Sequence, residues 1–209
     1  VNGTTFTYKF WDEGLCHSHH MQEKQLRDAI WDIRQDMYVV DMGAGCGDYT
    51  LAAIRRGAHR VYAFEPFPET FELLRRNVVL NKWQDRCVLS SLAISSSDSD
   101  ERIDPKTFTL SKTGLPIRAT TLDNFIDWLS IPPPHLDWIK IDIETHEIEA
   151  AKGMVKTVRK YKPKILIEIH KPNTIEQFLA IIDANYQAES LANYINSGTN
   201  SHWLCTKRG

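Results

Sequence analysis

Acids stand where the apolar runs of this chain end. Asp41 follows Val39-Val40 and precedes Gly43-Ala44-Gly45-Cys46-Gly47, and Glu65 closes Val61-Tyr62-Ala63-Phe64. Asp142 and Glu168 hold similar places in Leu136–Ile143 and Lys164–Ile169. Glycines at alternate positions make a tight turn that lets backbone approach a ligand closely. The dinucleotide fingerprint spaces its last two glycines further apart and aims a helix N-terminus at a pyrophosphate. Here the spacing is tighter, and an acid at 41 repels phosphate but suits a cation. A carboxylate at Glu65 can accept from both hydroxyls of a ribose. S-adenosylmethionine, with a sulfonium, an ammonium and a ribose but no phosphate, fits these charges. A nicotinamide dinucleotide does not.

Alternating strand and helix signals supply the scaffold for these residues. Tyr38–Met42 reads as a strand, and Tyr49–Arg56 as a helix with Asp48 as N-cap, Arg55 and Arg56 on its C-terminal dipole and Gly57 at its exit. Val61–Glu65 is the next strand. A helix from Pro68 to Leu80, with Phe71, Leu74 and Val78 on one face, ends at Asn81. Cys87–Ile94 reads as a third strand, followed by an inserted hairpin over Arg102–Arg118, near 101–118, that turns at Lys112-Thr113-Gly114. A short helix covers Asp123–Leu129, and Ile131 with Pro132-Pro133-Pro134 makes a stiff loop. Leu136–Ile143 and Lys164–Ile169 are the fourth and fifth core strands. Between them Glu147–Lys160 is helical with a break at Gly153; Thr174–Ala184 is a further helix, and the tail through His202–Thr206 supplies an antiparallel hairpin. This order predicts an α/β fold, a doubly wound, mostly parallel seven-stranded sheet with helices on both faces, and ligands bound beyond the strands' carboxyl ends.

The length of 209 residues predicts one domain, with 1–36 as an N-terminal helical cap and 37–209 as the core. In that cap, His17-Ser18-His19-His20 has no closed zinc spacing and reads as a polar lead into a helix carrying Leu26, Ile30 and Ile33. Cys16, Cys46, Cys87 and Cys205 form no Cys-x-x-Cys pair, so free thiols in a reducing cytoplasm are expected. A net charge of −2 offers no global field for nucleic acid. Neither a membrane span nor a signal peptide is expected.

With these residues in view, the chain resembles the FkbM family of S-adenosylmethionine-dependent methyltransferases from about Tyr38 to His170. The matching pieces are Asp41-Met42-Gly43-Ala44-Gly45, Ala63-Phe64-Glu65-Pro66, Leu74-Arg75-Arg76-Asn77 with Asn81, Thr120-Thr121-Leu122-Asp123, Ile139-Lys140-Ile141-Asp142-Ile143-Glu144 and Ile167-Glu168-Ile169-His170. One departure stands out: where the family places a glycine after the Asp142-Ile143-Glu144 motif, this chain has Thr145, while Glu147 survives two residues on.

The resemblance implies a Rossmann-like class I fold and a cofactor site built from Asp41, Gly43, Ala44, Gly45, Gly47, Glu65, Pro66, Leu92, Ala93 and Asp142. Asp41 would face the sulfonium and ammonium, and Leu92-Ala93 would lie near the adenine. It also implies a hydroxyl acceptor on a sugar or natural-product scaffold. A hydroxyl must lose a proton as it is methylated, so a base is needed within reach. His170 is the first expectation, as a neutral imidazole oriented by an acid, with Asp142 and Glu144 also expected at the catalytic end. Glu144 could instead pair with Lys140 or Lys171, and His146 reads as a helix-start surface residue. Asp142, Glu144, Glu168 and His170 offer ligands for a divalent metal, but direct service to substrate hydroxyls is preferred and no metal is expected. The competing readings are an RNA or other nucleic-acid methyltransferase, against which the missing Asn/Asp-Pro-Pro-aromatic loop speaks, and a non-catalytic S-adenosylmethionine-binding module.

Overall fold

The computed structural model describes residues 32–130, 132–171, 173–191 and 201–208. Cys16, His17, His19, His20, Leu26, Ile30 and Ile131, with the expectations attached to them, lie outside the described residues. Ile33, expected on the N-terminal helix, is described and is buried in non-helical chain.

The first half of the chain runs β1 (Tyr38–Met42), α1 (Asp48–Arg56), β2 (Arg60–Phe64), α2 (Pro68–Leu80) and β3 (Cys87–Ser90). Then come β4 (Ala93–Ile94), β5 (Ser99–Ile103), β6 (Leu115–Thr120) and α3 (Leu122–Trp128). The second half holds β7 (Trp138–Ile141), α4 (Glu147–Lys152), α5 (Val155–Tyr161), β8 (Lys164–Ile169), α6 (Thr174–Ile182), β9 (Tyr186–Ser190) and β10 (Ser201–Lys207). The main sheet has seven strands in the order β3-β2-β1-β7-β8-β10-β9. β3, β2, β1, β7 and β8 pair in parallel, and β10 pairs antiparallel to both β8 and β9. Strand order reverses between β1 and β7, and a crevice at such a switch point is where doubly wound sheets bind ligands.

Alternation along β1 sends Val40 and Met42 to one face and Val39 and Asp41 to the other. Val40 and Met42 pack with Ile139, Ile141, Ile165 and Ile167 beneath α3 to α6. Val39 packs with Val61, Trp138 and Leu166 beneath α1 and α2, where Leu51, Ile54, Leu74 and Val78 are fully buried. Each such side chain contributes about 1.5–3 kcal/mol of transfer free energy. A second sheet, β4-β6-β5, is three-stranded and closes over Phe67, Ala93, Ile103, Ile117 and Ala119.

Three expected details change. Asp48 is the first residue of α1 and not its cap; the cap position is Gly47, in the left-handed region at φ 99°. The anticipated third strand divides at Ser91-Leu92, and its last two residues join the smaller sheet. There the Leu92 N–H donates to Ser90 Oγ at 3.3 Å, a side-chain bond that competes with the ladder. The hairpin begins earlier than expected, at Ser99, and closes through Gly114 at φ 128°. No helix among the described residues is long and apolar enough to cross a membrane.

Candidate functional site

The turn after β1 is tied to the end of β2 by backbone hydrogen bonds. Gly43 and Ala44 N–H groups both donate to the Phe64 carbonyl, at 3.0 and 2.9 Å. Gly43 has φ 73°, and a Cβ there would lie 1.8 Å from the Asp142 carbonyl oxygen, so the approach of β1 to β7 at their ends requires glycine. Gly47, at φ 99°, does not line the cavity below; a Cβ there would meet Leu74 Cδ1 at 2.7 Å, so this glycine seats α1 against α2.

Asp41 is fully buried beneath this turn. Its Oδ2 accepts from Thr50 Oγ1 at 2.7 Å, and its Oδ1 has no hydrogen bond, its ion-pair partner being Lys140 Nζ at 3.6 Å. Burial raises its pKa, against the lowering effect of Lys140 and the Thr50 bond. The register explains the pairing: Asp41 and Lys140 are Cα partners across β1 and β7, so both side chains leave the sheet on the same face. The expectation that Asp41 faces a bound cation is therefore corrected. Lys140 lines the cavity in its place, with Nζ donating to the Gly43 carbonyl at 2.8 Å and lying 3.4 Å from Asp142 Oδ2 and 4.8 Å from the Tyr49 ring centroid. Lys140 was read only as a pairing option for Glu144, because a lysine inside an apolar run gives no sign of which acid it will meet.

Glu65 lies just past β2 and is almost fully buried. The Gly45 N–H donates to its Oε2 at 2.8 Å and the Phe67 N–H to its Oε1 at 2.9 Å. Burial pushes its pKa up to about 7, although both backbone donors work in the opposite direction. Two of the carboxylate's roughly four acceptor positions are used, which leaves about one on each oxygen.

A cavity of about 830 Å³ opens beside these groups. Gly43, Ala44, Gly45, Glu65 and Pro66 line it, with Leu92 and Ala93, and so do Asp142, Glu144 and His146. Ile103, Phe108 and Leu110 of the insertion complete the wall, whereas Pro132, Pro133 and Pro134 do not line it. Cys46 lines it as a half-buried thiol outside any disulfide; burial pushes Cys87 and Cys205 up to about 12.

His170 sits outside the lining. Its Nδ1 lies 2.7 Å from Glu147 Oε1, a carboxylate that is 1% exposed. Its Nε2 faces Glu144 Oε2 at 3.4 Å, Asp142 Oδ1 at 3.8 Å and Glu168 Oε1 at 3.8 Å. Burial alone lowers its pKa, but the Glu147 hydrogen bond and the charges of Asp142, Glu168 and Glu144 outweigh that and push it up to about 9. The surrounding carboxylates thus favour the protonated form, against the neutral acceptor expected at His170. Glu144 has its pKa raised, by burial first, and its partner is His170 and not a lysine.

His146 is no surface residue. It lines the cavity, and its Nε2 lies 3.0 Å from Ser95 Oγ. Burial lowers its pKa below the ordinary value, against the raising influence of Glu149, Glu101 and Glu147. Glu147, which sequence reading noted without assigning a task, accepts from the Thr145 N–H at 3.1 Å as well as pairing with His170. Thr145 indeed holds a positive φ, 73°, where the family has glycine, and Glu144 before it is at 47°.

A family model for the methyltransferase FkbM domain matches residues 41–196. The chain belongs to this family. Among curated proteins, the chain is 26% identical over 157 residues to the hexuronic acid methyltransferase AglP of Haloferax volcanii, covering 72% of this chain and 59% of that protein. Among solved structures, an FkbM methyltransferase from Methylobacillus flagellatus aligns with a TM-score of 0.63 at 20% identity over 86% of this chain and 46% of its own. The precorrin-6y C5,15-methyltransferase of Geobacter metallireducens aligns with a TM-score of 0.57 at 13% identity, over 100% of this chain and 97% of its own. These structural likenesses speak for the class I methyltransferase fold of this FkbM chain, which spans about half to three fifths of the lengths of its two FkbM-type and hexuronate-modifying relatives.

Proposed function

We propose that this chain transfers the methyl group of S-adenosylmethionine to a hydroxyl of a small sugar-type acceptor, with a hexuronic acid as the first candidate. The observation that carries this reading is one cavity lined both by a nucleoside-fitting carboxylate, Glu65, and by Asp142, Glu144 and His146, an imidazole whose pKa burial lowers. Its volume suits a ligand of nucleoside size plus an acceptor.

The residues fit the cofactor. Glu65 has acceptor capacity left on both oxygens for two ribose hydroxyls, and Leu92 and Ala93 offer an apolar wall for a base. Gly45 has nothing within 4 Å of where a Cβ would be, so the turn leaves room at the methionine end. When bound, the cofactor supplies a methyl group on a sulfonium, an electrophile that needs no metal or acid to leave.

The chain's own task is to hold the acceptor oxygen in line and take its proton. Asp142 and Glu144 can accept hydrogen bonds from sugar hydroxyls. In the tautomer that donates Nε2–H to Ser95, His146 keeps a lone pair on Nδ1 for the reacting hydroxyl. As the oxygen–methyl bond forms and the sulfur–methyl bond breaks, the proton passes to His146 and the sulfur keeps its electron pair as a thioether. The name of the Haloferax relative supports the acceptor class.

The test is incubation with S-adenosylmethionine and a panel of uronic acid glycosides, neutral sugars, phenols and RNA, followed by mass spectrometry. A methylated uronate with stoichiometric S-adenosylhomocysteine is expected. Turnover confined to RNA, or cofactor binding with no methylated product on any acceptor, would sink the reading.

A further inference from the structure

Beside the cavity, His170, Asp142 and Glu168 bring one donor atom each within 4.8 Å of the others, and the second polar atom of each side chain meets a further residue. His170 Nδ1 is anchored on Glu147 Oε1 at 2.7 Å. Asp142 Oδ2 is anchored on Lys140 Nζ at 3.4 Å. Glu168 Oε2 is anchored on His202 Nε2 at 3.3 Å, a contact created by their Cα pairing across β8 and β10. The atoms of the three that face one another are His170 Nε2, Asp142 Oδ1 and Glu168 Oε1, and Glu144 Oε2 lies 3.4 Å from the same Nε2. Nε2 is 3.8 Å from Asp142 Oδ1 and from Glu168 Oε1.

Those separations are too long for N–H···O bonds, which cluster at 2.7–3.2 Å. They are the right size for a shared cation. Around an ion with bonds of about 2.2 Å, adjacent octahedral ligands stand about 3.1 Å apart and opposite ones about 4.4 Å apart. The His170 side chain is 6% exposed and Glu168 13%, so neither can turn out to water to relieve the crowding. An imidazole whose remote nitrogen is held by a buried carboxylate is also the usual outer-shell arrangement for a metal-binding histidine.

We propose that Asp142, Glu168 and His170 form a binding site for one divalent cation of the Mn²⁺ or Mg²⁺ type. Two carboxylates and one imidazole select an oxygen-preferring ion that tolerates a nitrogen, and no thiolate belongs to the set. Three protein ligands leave positions open. Asp142 also lines the cavity, so these positions face the acceptor end. Glu144, 45% exposed with Oε2 at 3.4 Å from the same Nε2, stands on the cavity side of the set. A dication there reverses the field of Asp142, Glu144, Glu147 and Glu168. The consequence for catalysis rests on the methyl-transfer reading: an acceptor that carries a carboxylate beside its hydroxyl is otherwise repelled by this end, and a metal-bound hydroxyl gives up its proton more readily.

The experiment is a Mn²⁺ titration of the EDTA-treated, dialysed full chain, followed by electron paramagnetic resonance, without cofactor or acceptor. One Mn²⁺ per chain is expected. Asp142→Asn and Glu168→Gln should each weaken binding at least tenfold, and Glu149→Gln, on an exposed pair with Lys152, should not change it. Pulsed spectra of the wild-type complex should show nitrogen coupling from a directly bound imidazole. That reading needs no variant to fold, and circular dichroism checks those that are made. The proposal is overturned by the absence of stoichiometric binding below millimolar Mn²⁺, by a bound ion without nitrogen coupling, or by unchanged affinity in folded Asp142→Asn. Because neither cofactor nor acceptor is present, the result stands whether or not methyl transfer is later found.

Discussion

At the nucleoside end of the cavity, Glu65 is held by backbone N–H groups of Gly45 and Phe67. At the acceptor end, side chain meets side chain from separate elements: Lys140 with Asp142, Glu147 with His170, His202 with Glu168. Backbone donors cannot lose a proton, so Glu65 titrates as a largely independent group whose pKa is set by burial. The acceptor end balances several ionisable groups against one another, and changing one changes the charge felt by the rest. The first design gives a rigid pocket for a constant ligand; the second gives a site whose charge can respond to what enters it.

The comparison breaks most sharply at the base. His146→Ala should lower turnover about 10²–10⁴-fold while cofactor affinity stays near wild type, measured by steady-state kinetics beside calorimetry. Equal losses in both would merge the two ends and remove His146 from the chemistry.

Lys140 touches the glycine turn as well as Asp142. Lys140→Met leaves Asp41 buried without its ion partner and should cost about 3–5 kcal/mol in urea unfolding. Asp41→Asn added to Lys140→Met should recover part of that loss; if it recovers none, the stabilisation comes from the lysine's contact with Tyr49 and Gly43 instead.

Glu65→Ala should weaken S-adenosylmethionine binding by about 1.5–3 kcal/mol. The pH dependence sharpens the same point. Its pKa in the fold is about 7, above the ordinary 4.5, so the protonated form dominates below 7. A ligand that needs two acceptor oxygens binds the ionised form, so affinity should rise from pH 6 to 8 and then level off. Glu65→Gln should flatten that rise. A profile that falls with pH would contradict the ribose assignment. Stability runs the opposite way: the buried acid's contribution is fully present below pH 4.5 and is lost as pH climbs through 7.

The smallest effect belongs to the turn beside Glu147. Thr145 sits at φ 73°, where a β-branched residue is strained, so Thr145→Gly should raise stability by about 0.5–1 kcal/mol. Turnover measured on the same variant tells whether the acceptor end uses that strain.

Much of the scaffold was legible because local rules agree with the global one. Pro68 to Leu80 reads as a helix from proline at its start and one apolar face, and Lys164–Ile169 reads as a strand from a run of β-branched residues. Where a local rule had a rival, legibility failed. Cys87–Ile94 has strand composition throughout, yet Ser90 captures the Leu92 N–H and the segment serves two sheets. Asp48 has the chemistry of a cap, but the left-handed Gly47 already ends the turn. Gly43, Gly45, Glu65, Pro66, Leu92 and Ala93 line the cavity, and Gly47 does not. The surroundings of His146 and His170 were not legible, because Ser95 and Glu147, which meet them, are brought there by the fold.

The sequence by itself therefore determined the order of strands and helices, the glycine turn and the acid that follows the second strand, since each rests on contacts within about twenty residues. Tertiary structure decided which charges meet. Asp41 faces Lys140 and Glu168 faces His202 only because strands nearly a hundred and some thirty residues apart pair in a particular register. Register is a property of the assembled sheet, and a one-residue slip would send every one of these side chains to the opposite face.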